Sequence, residues 1–423
     1  MTNLKGFFLL RISPCILFTM LLVNDGFSQT NNSPYSIHGI GDITTNFVNR
    51  TTGLSSTGIA YRSNRSLILN NPASLSALDN QFFVGELGVN AKYVDYSGNP
   101  ISQTEHQSSD ITFKRFSLGT KIFRNWGSSV GLVPFSEENY EYSGYRQIGY
   151  NGILFPYYDQ GYGGINKVFW ANGYEFFHHL SVGITSAYLF GSITNKNIIF
   201  GQGSSIYLSK NNNTFYSGLY FDYGLQYRGS INKHYDIVLG VVYSNQSTIN
   251  QDQTTNVIKL DSGVLRSTET FGTYTVPMSY GWGFSITKDK KYSLLVDYKF
   301  QNWSALQSIN GGYAYINSQR GSIGFEISNK KNIYNTMYET SFFQAGAFYN
   351  RTYLIVNGTP IDDIGASLGM GVNSKRSPLS LMVSLTYGIK GTTNNYLIRE
   401  NYMTLSFVFS MRDLWYTKGR KFE

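Results

Sequence analysis

Cysteine is all but missing: Cys15 is the only one in 423 residues. An intrachain disulfide and a multi-thiolate metal site are therefore excluded. Histidine is scarce too, and two of the five, His178 and His179, are neighbours. On a strand, neighbours point to opposite faces, so this pair is a poor metal chelate and reads better as a turn. No Gly-x-Ser-x-Gly or comparable nucleophile motif occurs, so no catalytic residue, metal ligand or cofactor is assigned and an enzyme is not expected. Charged residues make up 14% of the chain, against about 25% in ordinary soluble proteins. With 16% aromatics this is the reverse of a disordered composition. Past residue 28 no apolar run reaches roughly 18 residues, which excludes transmembrane helices. The formal charge of +8 invites a nucleic-acid reading. Lys and Arg are scattered, however, and anionic lipid headgroups are the better counter-charge.

What is present begins with Lys5, followed by an apolar stretch from Phe7 to Val23 whose most apolar part starts at Ile16. Gly26-Phe27-Ser28 then supplies a small-x-small end. That order describes a secretory signal peptide over residues 1–28, cut after Ser28. The competing reading, a membrane anchor, needs a longer apolar core. Cys15 follows Pro14 and lies too early for lipidation. An exported chain does not meet nucleic acid.

The rest alternates with period 2. Tyr292, Leu294, Val296, Tyr298 and Phe300 share one face, and Ser293, Leu295, Asp297 and Lys299 the other. Leu379, Leu381, Val383, Leu385 and Tyr387 alternate with Ser380, Met382, Ser384 and Thr386. Met403 to Met411, Leu219 to Tyr227 and Ile364 to Val372 repeat the pattern. Strands of about 9–11 residues with one apolar and one small or polar face fit a bilayer-spanning barrel. Aromatic rings at strand ends, such as Tyr292 and Phe300, suit its two interfaces. An open sheet edge cannot be satisfied in lipid, so the sheet must close. The expected fold is all-β, a closed antiparallel transmembrane barrel of about fourteen strands over residues 81–412. Segments 192–213 and 246–275 read as long extracellular loops, and 288–291 and 373–378 as short periplasmic links. Glu137-Glu138 and Asp362-Asp363 read as solvated loop ends, and Trp303 as an interface anchor. Residues 29–80 do not alternate and are rich in Gly, Asn and Ser. They are expected to fill the lumen as a plug, and residues 413–423 to form a basic tail.

Four pieces carry a family resemblance. Gly58-Ile59-Ala60 leads to Asn70-Asn71-Pro72-Ala73-Ser74-Leu75. Gly131-Leu132-Val133-Pro134-Phe135-Ser136 follows, then Val276-Pro277-Met278-Ser279-Tyr280-Gly281-Trp282-Gly283, then Asp297-Tyr298-Lys299-Phe300-Gln301-Asn302-Trp303-Ser304. In this order they resemble the hatch and strands of the FadL/OmpP1 family of outer-membrane hydrophobic-compound transporters. The resemblance spans residues 58 to about 304. It implies a fourteen-stranded barrel in the Gram-negative outer membrane, plugged by an N-terminal hatch. It implies passive transport of hydrophobic small molecules of the long-chain fatty-acid type, released sideways at a kinked third strand. Asn71, Pro72, Ala73 and Leu75 would be the hatch residues, and Val133, Pro134 and Phe135 the lateral opening. Pro134 has no N–H and can break a ladder. The polar run Ser63 to Ser66 departs from the family's hatch. The implied partners are outer-membrane lipid and lipopolysaccharide, a hydrophobic ligand, and the outer-membrane assembly machinery during biogenesis. The second reading is a barrel subunit of an outer-membrane protein-secretion or assembly complex.

Overall fold

The computed structural model describes residues 33–98, 106–147, 153–201, 206–259, 263–306, 312–333, 336–374 and 378–414. The expected signal peptide and residues 415–423 of the expected tail lie outside the described residues. Fourteen wall strands are found among the described residues. The first seven are β1 Phe82–Gly98, β2 Gln107–Phe123, β3 Trp126–Gln147, β4 Leu154–Phe176, β5 Leu180–Phe200, β6 Ile206–Ser230 and β7 Tyr235–Ser244, which continues as Ser247–Lys259. The others are β8 Gly263–Val276, continuing as Ser279–Lys288, β9 Tyr292–Gln301, β10 Tyr313–Tyr315, continuing as Ser318–Ile333, β11 Thr336–Val356, β12 Thr359–Asn373, β13 Leu379–Lys390 and β14 Ile398–Leu414. Each strand pairs antiparallel with the next. The barrel closes where β14 meets β1 in unbroken register, from Ile398 opposite Gly98 to Leu414 opposite Phe82. The break in β8 falls at Pro277-Met278, where proline removes a ladder donor.

The alternation decides which face is which. Leu368 is 64% exposed while Ser367 beside it is 2% exposed, so the apolar face points outward. The same holds at Leu379, Leu381, Leu385 and Tyr387, which are exposed, against the buried Met382 and Ser384. The outer wall therefore offers lipid its apolar side chains, and its backbone N–H and C=O groups must be satisfied within the protein. No helix among the described residues is long and apolar enough to cross a membrane.

Two expectations about loops are corrected. Segments 192–213 and 246–275 are largely strand: β5 and β6 stay paired as far as Phe200 and Ile206, and β7 and β8 as far as Lys259 and Gly263. Their ladders continue where the outward face turns polar, so hydropathy does not mark them. Glu137 and Glu138 likewise sit within β3, and Asp362 and Asp363 within β12. Glu138 is buried.

Residues 33–81 precede the wall. They form short turns, the 3-10 segments Pro34–Ile37, Thr52–Leu54 and Pro72–Ala77, and a two-residue strand Asp42–Ile43. This segment packs against the inner wall. The Pro72–Ala77 turn lies against β3 to β6, and the Thr52–Leu54 turn against β10 to β13.

Candidate functional site

The Asn-Pro-Ala motif opens the 3-10 turn Pro72–Ala77 of the plug. Asn71 caps it, its Oδ1 accepting from the Ala73 N–H at 3.0 Å, with Pro72 in the first turn position where a missing N–H is harmless. The Asn71 amide donates to three backbone carbonyls: Ile59 at 3.0 Å in the plug, Leu225 at 3.1 Å on β6 and Val241 at 3.3 Å on β7. Asn71, Pro72, Ala73 and Leu75 are all buried.

The wall meets this turn with glycine. Gly127, Gly173, Gly183 and Gly224 stand opposite one another across β3, β4, β5 and β6. A Cβ on Gly127 would lie 2.0 Å from the Leu75 carbonyl oxygen, one on Gly183 2.3 Å from the Ala73 nitrogen, and one on Gly224 2.1 Å from Asn71 Oδ1. The row continues less regularly at Gly240, where Ile59 O would be 2.3 Å away, and at Gly346, where the Leu54 carbonyl carbon would be 2.5 Å away. Plug backbone thus lies directly on wall backbone around much of the circumference.

Buried charges complete the attachment. Arg50 of the plug donates to Glu339 of β11 at 2.5 and 2.7 Å and to Glu326 of β10 at 3.0 Å. The three side chains are 4%, 9% and 5% exposed. Burial opposes the Arg50 charge, and the two carboxylates outweigh it, holding the guanidinium well above its ordinary pKa. Gln344 and Tyr61 donate to Glu326, and Ser328 to Glu339. On the far side, Leu67 is clamped at both ends of its peptide. Its N–H donates to Glu86 of β1 at 3.1 Å and its carbonyl accepts from Arg115 of β2 at 2.6 Å. Asp297 of β9 accepts from the N–H groups of Gly58 and Ile59 at 2.6 and 2.8 Å. Wall side chains in this way satisfy plug backbone that no sheet or helix satisfies. Arg62 reaches Glu175 at 2.9 Å and Ser181 at 2.9 Å. His38, near the plug's start, has its imidazole pushed down to about 4 by burial.

The second expected group lies at a break in the wall. β2 and β3 pair from Phe123 opposite Trp126 up to Phe116 opposite Leu132, and no further. Val133, Pro134 and Phe135 follow at once on β3. On β3's other side, against β4, the register shifts between Pro134 and Ser136. Beyond Leu132 the plug replaces β2. Asp42 and Ile43 stand opposite Glu137 and Ser136, the Thr44 N–H donates to Phe135 O at 2.9 Å, and Ser33 N–H donates to Asn139 O at 2.8 Å. Lys114 of β2 forms an ion pair with Glu137 across the break. A cavity of about 60 Å³ behind it is lined by both Pro72 and Pro134, with Phe47, Phe135 and Tyr220. The two groups read from the sequence are therefore neighbours.

Trp303 is a correction. It is 1% exposed, stacks on Tyr353 at 4.2 Å and neighbours Tyr315. It belongs to an inner aromatic cluster and anchors nothing at an interface. Sequence reasoning also passed over Arg50, Glu86, Arg115, Glu326 and Glu339. Charges on the inward face of an apolar-outward strand were the available signal for the wall members.

A profile of the family described as BamG matches residues 11–423. The chain belongs to the BamG family. No curated protein matches this BamG-family chain in sequence. Solved structures share its fold. The CymD monoaromatic hydrocarbon channel is 14% identical, with a TM-score of 0.56 over 88% of this chain and 98% of that one. The Ralstonia pickettii toluene transporter TbuX is 14% identical, with a TM-score of 0.55 over 87% and 100%. A Pseudomonas aeruginosa FadL homologue is 12% identical, with a TM-score of 0.58 over 89% and 100%. The expected FadL likeness thus holds for the fold of this BamG-family barrel, while its family carries a different name.

Proposed function

We propose that this BamG-family barrel is a non-conducting subunit of an outer-membrane assembly complex. The attachment of the plug carries the reading. A stopper that must swing aside needs a smooth, separable contact. Here the plug lies backbone to backbone on wall glycines, holds a buried ion-pair cluster on β10 and β11, and makes further ion pairs to β4 and β13. Displacement would have to undo these ion pairs and the close backbone contacts together. The Bam prefix of the family name, shared with the outer-membrane β-barrel assembly machinery, supports the same reading. The barrel would lie in the Gram-negative outer membrane, delivered by the signal peptide at 1–28, with lipid and lipopolysaccharide around its apolar belt. Neither this role nor transport calls for catalysis or a cofactor.

The test is mild solubilisation of native outer membranes and affinity capture of the tagged chain, followed by depletion of the chain in cells. The expected result is a stoichiometric complex containing a component of the assembly machinery, and a fall in other outer-membrane barrels on depletion. Recovery of the chain alone, with other barrels unchanged on depletion, would overturn the reading.

The break in β2–β3 pairing favours a second reading. In it, hydrophobic small molecules, fatty-acid-like or aromatic, cross by displacement of Asn71, Pro72, Ala73 and Leu75 and leave sideways at Val133, Pro134 and Phe135. The solved structures that share this barrel's fold include a monoaromatic hydrocarbon channel, a toluene transporter and a FadL homologue. Uptake of toluene or a long-chain fatty acid, lost on deletion of residues 58–76 while the barrel persists, would favour transport.

A further inference from the structure

Behind the break in the wall lies a second, larger cavity of about 550 Å³. Both sides of the break line it: Asp110, Thr112 and Lys114 from β2, and Glu137, Glu138 and Asn139 from β3. Deeper in stand Lys92 of β1 and Arg320 of β10. Apolar side chains such as Ile43, Phe348 and Leu354 line it too, but a hydrocarbon seated against the charges would strip water from them and return no hydrogen bonds.

Most of these charges are already answered. Lys114 pairs with Glu137, Lys390 with Asp42 at 2.7 Å, Asp363 accepts from the Tyr402 hydroxyl at 2.8 Å, and Glu138 accepts from Asn195. Three are not. The Lys92 side chain has no hydrogen bond or ion pair among the described residues; the Tyr402 ring lies 5.1 Å away, and Glu400 and Asp42 are the carboxylates whose charge it feels. Arg320 donates one hydrogen bond, to Ser55 O at 3.0 Å, and lies over Phe348. A guanidinium has five N–H donors, and this one lines the cavity with a single hydrogen bond made. Asp110 has no hydrogen-bond or ion-pair partner among the described residues. It stands directly opposite Lys92 in the β1–β2 register, yet the two form no ion pair.

The cavity therefore offers two cations and one carboxylate, Asp110, that make no ion pair among the described residues. On the outer face of the same β2 segment, Ile111 is 65% and Phe113 47% exposed. Alternation along one strand edge thus puts charge inside the wall and apolar surface outside it.

We propose that this cavity binds the phosphoethanolamine head of a membrane lipid entering sideways through the break. The phosphate sits between Lys92 and Arg320, the ammonium at Asp110, and the acyl chains stay outside along Ile111 and Phe113. Arg and Lys suit a phosphate, the former with its planar fork. The inference rests on the barrel lying in a bilayer, and is independent of its membership of an assembly complex.

The test uses the full chain purified in a detergent free of phospholipid, with native mass spectrometry and added lipids. Phosphatidylethanolamine should bind one to one, ahead of phosphatidylglycerol and far ahead of diacylglycerol. The K92M/R320M pair should weaken it by about tenfold or more, the scale of losing a hydrogen bond to a charge. Asp110→Asn sits at the mouth and spares the buried wall. It should reverse the preference for phosphatidylethanolamine over phosphatidylglycerol, which keeps the test decisive if the double variant does not fold. Equal retention of diacylglycerol, or an unchanged preference in D110N, overturns the proposal. Equal affinity for soluble glycerophosphoethanolamine also overturns it, since the ligand would then be a free headgroup. The capture experiment above reads a different quantity, so the two readings fail separately.

Discussion

Replacing Arg50 by methionine should release the middle of the plug while the wall survives. Methionine keeps most of the side chain's length over the Phe342 ring, which Arg50 now covers at 3.9 Å. What it removes is the only cation hydrogen-bonded to Glu326 and Glu339 among the described residues. Two buried carboxylates are left facing each other's charge. Loss of one partner from a buried ionic group costs about 3–5 kcal/mol. At about 1.4 kcal/mol per factor of ten, the undocked population of this stretch should rise by roughly two to three and a half orders of magnitude. The wall ladder does not pass through Arg50, so the barrel should still resist unfolding in detergent. Amide hydrogen exchange reads this directly, because local opening and global unfolding separate in free energy. Residues 49–61 should exchange faster by that factor, while β12 to β14 should not. The triple variant R50M/E326Q/E339Q tests the cause, since replacing a whole buried ionic group by neutral residues is close to neutral. It should restore most of the protection. Unchanged exchange over 49–61 in R50M would refute the reasoning that charge holds the plug.

Two further predictions address the motif and the wall. Gly183→Val should dislodge the Pro72–Ala77 turn, because a Cβ there meets the Ala73 nitrogen at 2.3 Å. Gly321→Ala, with open space around it, should be silent, and protease cleavage within residues 71–78 distinguishes them. Asn71→Ala should destabilise the plug by about 1–3 kcal/mol, since it leaves buried carbonyls of Ile59, Leu225 and Val241 without this donor. Thermal unfolding of the purified barrel measures that loss, and a shift no larger than for Gly321→Ala would contradict it.

The outer wall was legible because lipid imposes a simple rule. Leu379, Leu381 and Leu385 had to face outward, and Ser384 between them inward. The rule ends with the apolar belt. Beyond it the ladders of 192–213 and 246–275 rest on backbone hydrogen bonds, which leave no hydropathy pattern. The Asn-Pro-Ala motif stood out through the resemblance alone; that Asn71 caps a turn there came from the structure. Pro134 was legible as a ladder breaker, and pairing of β2 with β3 stops two residues before it. The partners of the plug were not legible. Arg50 meets Glu326 and Glu339 across more than half the chain, and nothing near Arg50 in sequence announces that. Trp303 misled because a Trp near a strand end looks like an interface residue until its neighbours, Tyr315 and Tyr353, are known.

The glycine contacts also constrain the order in which the molecule can be built. Gly53 and Leu54 leave the ribosome early, yet their seats at Gly324, Gly346 and Gly369 come late in the chain. A turn seated that closely cannot be threaded into a finished cylinder. The plug must therefore be seated before the wall around it is complete. Loop closure over such a separation is slow, so the unfinished sheet, with its cargo already inside, is the species that the cell has to protect.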